Sequence, residues 1–271
     1  METNKIYQGD VLEVLKTFPD KSINLVVTSP PYNIGIDYGI YKDNLNWKNY
    51  YSWCENWLKE LFRVLKSDGR ICINHYLSLG TAKERTAPLM EINFIAMNMG
   101  FKHHSVAVWQ DITLAKRTAW GSWLSASAPY INSPFEGILI LYKENWKRIN
   151  KGKDTIKKDD FIKLTRGIWE IPTERKQLTK ANFPVVLPEK CINLLTFEGD
   201  LVLDCFMGSG STAVACVNTK RKFIGIELNP EYCKMAEKRL SQNVLLPLEV
   251  NKKEDYGLPP TDESEGIRPT I

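Results

Sequence analysis

Two short stretches carry residue types suited to chemistry, and they lie near opposite ends of a 271-residue chain. The first is Thr28-Ser29-Pro30-Pro31-Tyr32, directly after the apolar run Ile23-Asn24-Leu25-Val26-Val27. That run reads as a buried strand. Pro30 and Pro31 end its ladder pairing and stiffen the backbone, so the carbonyls beyond it lack strand partners. Ser29 Oγ and the Pro30 carbonyl then become fixed hydrogen-bond acceptors, with an aromatic face beside them at Tyr32. Such a set suits an exocyclic amino group on a stacked base. The same residues also suit a plain turn with a core tyrosine.

The second stretch is Asp204-Cys205-Phe206-Met207-Gly208-Ser209-Gly210-Ser211-Thr212. Gly208 and Gly210 permit a sharp strand-to-helix turn and close approach of a ligand. Glu227 ends the following strand, 19 residues after Gly208. An acid about 20 residues beyond such a loop meets ribose hydroxyls in nucleotide folds. With only G-x-G behind Asp204, the loop suits a ligand with little phosphate. Ala213 falls where a longer dinucleotide motif would continue, so that class of ligand stays open on spacing. Glu227 also reads as a cap for the helix after Pro230, and Asp10 as a cap for a helix over 11–18.

The elements that must position these groups alternate between apolar strands and amphipathic helices, the pattern of a mostly parallel α/β sheet. Positions 47, 50, 51, 54, 57, 58, 61, 62 and 65 form one apolar helical stripe, stopped at Ser67-Asp68-Gly69. Strands are expected at 70–75, 104–109, 137–142, 201–203 and 223–227, and helices at 88–99, 188–197, 211–218 and 229–242. Residues 111–134 have no period and are rich in Ser, Trp, Pro and Tyr.

The chain is 43% hydrophobic and 25% charged with net charge +4, the balance of a globular protein large enough for its own core. Between Lys143 and Arg166, nine Lys/Arg face four Asp/Glu, either a solvated face or a phosphate-contacting surface. None of the six cysteines forms C-x-x-C and most have apolar neighbours, so reduced thiols, no metal site and a cytoplasmic setting are expected. No apolar stretch reaches membrane-spanning length, and the first residues carry no secretory pattern.

With Gly9-Asp10 ahead of it and the Asp204–Gly210 loop far behind, Ser29-Pro30-Pro31-Tyr32 resembles the amino-methyltransferases of DNA. The order, catalytic turn first and cofactor loop last, is similar to their permuted β group, typical of restriction–modification systems. The likeness spans roughly residues 5–245, including Trp120-Gly121-Ser122-Trp123 and Ile168-Trp169-Glu170-Ile171-Pro172. Serine at the head of the turn resembles the cytosine-N4 subgroup, although some adenine-N6 enzymes also carry it.

The resemblance implies a circularly permuted, Rossmann-like methyltransferase sheet with S-adenosylmethionine as cofactor. Ser29, Pro30, Pro31 and Tyr32 would be catalytic. Asp10 would lie near the adenine amino group, Glu227 on the ribose, and Phe206 to Gly210 along the methionine portion, with Asp204 and Ser211 completing the cofactor set. Cys205 stands where the family has proline. The family's His-Pro element is missing from Lys180-Ala181-Asn182-Phe183-Pro184, which leaves the methionine carboxylate unassigned.

The expected organisation is a catalytic half over 1–110 and a target-recognition region over 111–167, threaded by core strand 136–142. A cofactor half over 168–246 and a flexible tail over 247–271 complete it. Lys116, Arg117, Lys147 and Arg148 are the expected contacts to double-stranded DNA, with a cognate restriction endonuclease implied functionally. Rival readings are an adenine-N6 methyltransferase, a nicotinamide-dependent oxidoreductase built on residues 204–227, and a catalytically silent DNA-binding module. The oxidoreductase leaves the 28–32 turn unexplained.

Overall fold

The computed structural model describes residues 1–41, 43–80, 85–112, 124–129, 131, 135–173, 179 and 182–245. The chain opens with β1 (Lys5–Gln8), α1 (Val11–Lys16), β2 (Ile23–Thr28), α2 (Trp47–Val64) and β3 (Leu65–Tyr76). A small hairpin of β4 (Leu79–Gly80) and β5 (Arg85–Thr86) leads to α3 (Pro88–Met99), β6 (Lys102–Gln110) and β7 (Phe135–Tyr142). Then come α4 (Lys158–Leu164), β8 (Ile168–Glu170), α5 (Val186–Leu195), β9 (Leu201–Asp204), α6 (Ser211–Asn218), β10 (Lys222–Glu227) and α7 (Pro230–Leu245).

Eight strands form one sheet in the order β1-β10-β9-β2-β3-β7-β6-β8. The first five of these run parallel, and β7 is antiparallel to both its neighbours, β3 and β6. Strand β2 is buried along its whole length because both sheet faces are covered. Its side chains alternate: Ile23 and Val26 pack with α1, α2 and α3, while Leu25 and Val27 pack with α5 and α6. The stripe on α2 buries Tyr50, Cys54, Trp57, Leu58 and Leu61, and each of its leucines contributes roughly 1.5–3 kcal/mol.

Three differences from expectation have physical causes. Strand β1 is a short edge strand with only two half-buried residues, too weak a period to stand out. Ser67-Asp68-Gly69 does not separate α2 from its strand. It is absorbed into β3, where the register against β2 shifts between Ile23 and Leu25. Helix α4, dominated by charge, packs on α5 and leads into β8.

The basic stretch after β7 also differs from its expected role. β7 ends at Tyr142, opposite Arg70 near the start of the neighbouring parallel strand, so residues 143–150 lie across the sheet from the strand carboxyl ends. Arg148 is not a DNA contact. Its guanidinium is 10% exposed and is spent on Asp68 Oδ2 at 3.2 Å and Asp200 Oδ2 at 2.9 Å. Lys147 is exposed on the same remote edge. Arg148→Ala is therefore expected to cost about 3–5 kcal/mol in urea unfolding, because Asp68 is left charged and buried. The salt dependence of DNA binding should not change.

Candidate active site

All the parallel strands end on one edge of the sheet. Gly9–Asp10, Ser29–Tyr32, Asn74–Tyr76, Cys205–Gly208 and Glu227 meet there, joined by Glu136 at the start of antiparallel β7. This is where open α/β sheets bind ligands. A cleft of about 800 Å³ is lined by Asp10, Ser29 and Pro31 from the first part of the chain and by Phe206, Gly208 and Glu227 from the last. The two distant motifs thus face one space.

A buried clamp holds the motifs in register. Asp204 accepts from Thr28 Oγ1 at 2.8 Å, from Thr212 Oγ1 at 2.6 Å and from Phe206 N at 3.1 Å. Burial pushes its carboxyl up to about 6, against the lowering effect of those bonds. Asp204 is 1% exposed and does not line the cleft, so its role is to hold the proline turn against the glycine loop rather than to touch a ligand. Gly210 and Ser211 are likewise displaced from their expected role. A Cβ on Gly210 would meet Ala236 Cβ at 2.9 Å, and Ser211 Oγ donates to the Phe183 carbonyl. Both serve the packing of α6 and α7.

Gly208 differs. Its φ is +53°, and an added Cβ would meet nothing within 4 Å, so the loop leaves room on its cleft side. Glu227 accepts from Gly208 N at 2.7 Å and from Asn229 N at 2.8 Å, which fixes its carboxylate at the cleft wall. Burial raises its pKa, opposed by those N–H groups. Asp10 lines the cleft and also caps α1, its Oδ1 accepting from Leu12 N at 2.9 Å. Thr179 lines the same space with its Oγ1 buried and without a partner among the described residues.

At the other end of the cleft the proline turn is held rigidly. Tyr50 Oη donates to the Pro31 carbonyl at 2.7 Å and lies 3.0 Å from His75 Nε2. Because Tyr50 has given its proton to Pro31, His75 must donate from Nε2, and its Nδ1 is buried without a partner among the described residues. Burial lowers His75 to about 3, so the ring is neutral. It packs on Tyr32 with ring centroids 4.4 Å apart. Among the described residues, no protein donor reaches the Pro30 carbonyl.

Several residues at the site went unread in the sequence. Asn74 and Glu136 bond Tyr32 Oη at 2.8 and 2.6 Å. Asp43, 1% exposed, accepts from Asn33 N and Ile34 N, folding the loop after Tyr32 back over the cleft. That loop brings Tyr38, Ile40 and Tyr41 to the wall, where Tyr41 stacks on Trp53 and Trp53 contacts Phe206. The local sequence gives little sign of this loop, since Asp43 lies ten residues from the amide it binds. Lys116, Arg117, Trp120–Trp123 and the tail after 246 lie outside the described residues.

A sheet with its glycine turn and acid-tipped neighbouring strand at one cleft, facing a rigid proline turn, defines a nucleotide-cofactor-dependent transferase. A family model described as DNA methylase matches residues 23–238, and the chain belongs to that family. It is 44% identical over 160 residues to the type II methyltransferase M.MjaVI of Methanocaldococcus jannaschii, a match covering 59% of this chain and 81% of that one. The DNA adenine methyltransferase YhdJ of Escherichia coli K12 is 28% identical, covering 88% of this chain and 83% of its own.

Among solved structures, the DNA modification methylase TTHA0409 of Thermus thermophilus complexed with S-adenosyl-L-methionine has a TM-score of 0.71 and 29% identity. The match covers 89% of this chain and 94% of that chain. The PvuII cytosine-N4-specific DNA methyltransferase shares the fold at a TM-score of 0.65 and 23% identity, covering 88% and 86%. The cofactor is S-adenosylmethionine. The open side of Gly208, the Glu227 carboxylate and the unspent Thr179 hydroxyl fit it.

Proposed function

We propose that this enzyme methylates the exocyclic N4 of cytosine at a short specific site in double-stranded DNA, as the methylating partner of a cognate restriction endonuclease in the cytoplasm. One observation carries the chemistry: Ser29 and Gly208 line a single cleft. The choice of cytosine rests on the likeness of Ser29-Pro30-Pro31-Tyr32 to the cytosine-N4 subgroup. The type II relative supports the biological setting.

An amino nitrogen conjugated to a base ring is a poor nucleophile. Ser29 Oγ and the Pro30 carbonyl accept its two hydrogens and draw it toward tetrahedral geometry, so its lone pair faces the cofactor. Bound S-adenosylmethionine supplies a methyl group already activated on a sulfonium. Holding the nitrogen in line at ~3–3.5 Å contributes several kcal/mol. The base must leave the duplex to reach Ser29, and stacking on Tyr32 offsets part of the few kcal/mol of unstacking.

Residues 111–134 leave the sheet at Gln110 and return at Phe135, whose register pairing lies beside Glu136 and hence beside the proline turn. That placement supports them as the reader of the DNA site, with Lys116 and Arg117 on phosphates. Residues 1–110 and 168–246 act as the catalytic and cofactor halves.

Treating duplex DNA with enzyme and cofactor, then digesting to nucleosides for mass spectrometry, is expected to yield N4-methylcytosine. N6-methyladenine in its place would transfer the reading to the adenine class, which the likeness to YhdJ favours. Single-molecule sequencing of DNA from cells expressing the chain reports the site.

A further inference from the structure

Tyr32 Oη sits at the centre of a hydroxyl chain whose direction is set by donor and acceptor count. Glu136 Oε2, 2.6 Å away, can only accept as a carboxylate, so the single Tyr32 proton goes to it. Both Tyr32 lone pairs are then filled by donors, Ser29 Oγ at 2.9 Å and Asn74 Nδ2 at 2.8 Å. Asn74 Nδ2 also reaches Glu136 Oε2 at 2.7 Å, bracing the pair. The Ser29 proton therefore points away from the cleft, and its lone pairs remain for an incoming amine. Without Glu136, Ser29 is as free to donate as to accept.

We propose that Glu136 is a positioning residue for methyl transfer: through Tyr32 it fixes Ser29 as a hydrogen-bond acceptor and receives the proton that the methylated nitrogen sheds. The nitrogen holds one proton too many once its lone pair has formed the new bond to carbon. That proton passes to Ser29 Oγ, the Ser29 proton to Tyr32 Oη, and the Tyr32 proton to Glu136 Oε2. A neutral methylamine and a neutral carboxylic acid result, and Glu136 later returns its proton to water.

Burial raises the Glu136 carboxyl above the usual range, against its bonds from Tyr32 and Asn74 and with the help of the Asp111 charge, which favours uptake of a proton. The groups facing it are Tyr32 from the proline turn, Asn74 and Tyr76 from β3, and Asp111 beyond β6; neutral His75 lies behind the Tyr32 ring. This inference rests on Ser29 as the amine acceptor, not on which base bears the amine.

The test is single-turnover methyl transfer to long unmethylated duplex DNA across about pH 5 to 9, with Ser29→Ala measured alongside. Glu136→Gln is expected to lower the rate at least about tenfold at neutral pH, short of the ~10²–10⁴-fold of a directly placed acid–base group. The fall in wild-type rate toward acid pH should disappear in this variant and return in Glu136→Asp. Cofactor affinity by calorimetry should be unchanged.

Tyr32→Phe cuts the same chain, and the double variant should be no slower than the slower single one, since the residues act as a unit. A wild-type rate in Glu136→Gln, or a slow variant that keeps the acid limb, overturns the proposal. If Glu136→Gln does not fold, Tyr32→Phe decides by the same two readouts. Full activity in Ser29→Ala defeats the reading of the site itself. Loss there with none in Glu136→Gln defeats only the chain.

Discussion

Ser29→Ala should reduce single-turnover methyl transfer on the order of 100-fold or more, the loss seen when one preorganised hydrogen-bonding group at a reacting centre is removed. That corresponds to about 2.7 kcal/mol of barrier. The substitution removes one of two acceptors for the amine and leaves the Pro30 carbonyl, which no described protein donor occupies. The turn itself should persist, because Tyr50 still bonds the Pro31 carbonyl and Tyr32 still bonds Glu136 and Asn74. Cofactor affinity should therefore stay within about twofold of wild type, a change under ~0.4 kcal/mol. Rapid-quench kinetics with calorimetry checks both halves, and a fast variant would remove Ser29 from the chemistry.

The second large effect separates two glycines that look alike in sequence. Gly208→Ala puts a methyl group into the open side of the loop, where no protein atom lies within 4 Å. The fold should lose only the roughly 1–2 kcal/mol of a left-handed non-glycine residue. S-adenosylmethionine should lose on the order of 100-fold in affinity, about 2.7 kcal/mol, because the new methyl occupies cofactor space. Gly210→Ala fails in the opposite way, since its Cβ would lie 2.9 Å from Ala236 Cβ and force α6 from α7. There the melting temperature should fall by more than in Gly208→Ala. Thermal unfolding and calorimetry on the two variants read the difference, and equal cofactor binding in Gly208→Ala and wild type would sink the assignment of the loop.

What the sequence showed about the site follows from the range of the interactions. The proline turn and the glycine loop are local, and Ser29, Gly208 and Glu227 were legible because strand, turn and residue type sit together. Asp204 looked like a ligand residue by the same logic. Its partner Thr28 is 176 positions away, and nothing local shows that the pair closes on itself.

Arg148 misled for the same reason. A basic run looks solvated until Asp68 and Asp200 arrive from distant parts of the chain. Glu136 and Asn74 stood in strands as unremarkable polar residues, and only the antiparallel pairing of β7 with β3 brings them to Tyr32. The helices and central strands were readable from period alone, while β1 and α4 were not, because too few of their residues are buried.

The strand order has a further consequence, for biosynthesis. β1 pairs only with β10, and β2 meets β9 across nearly the whole chain. Until β9 and β10, which begin at Leu201 and Lys222, have left the ribosome, the first strand has no neighbour, and one border of the second is a bare apolar ladder that invites other chains. The last two strands must then slot between the first two, a non-local closure of the sort that makes folding slow. No nascent fragment short of β10 can hold the cofactor, so the protein emerges inert and gains its catalytic power in one late step.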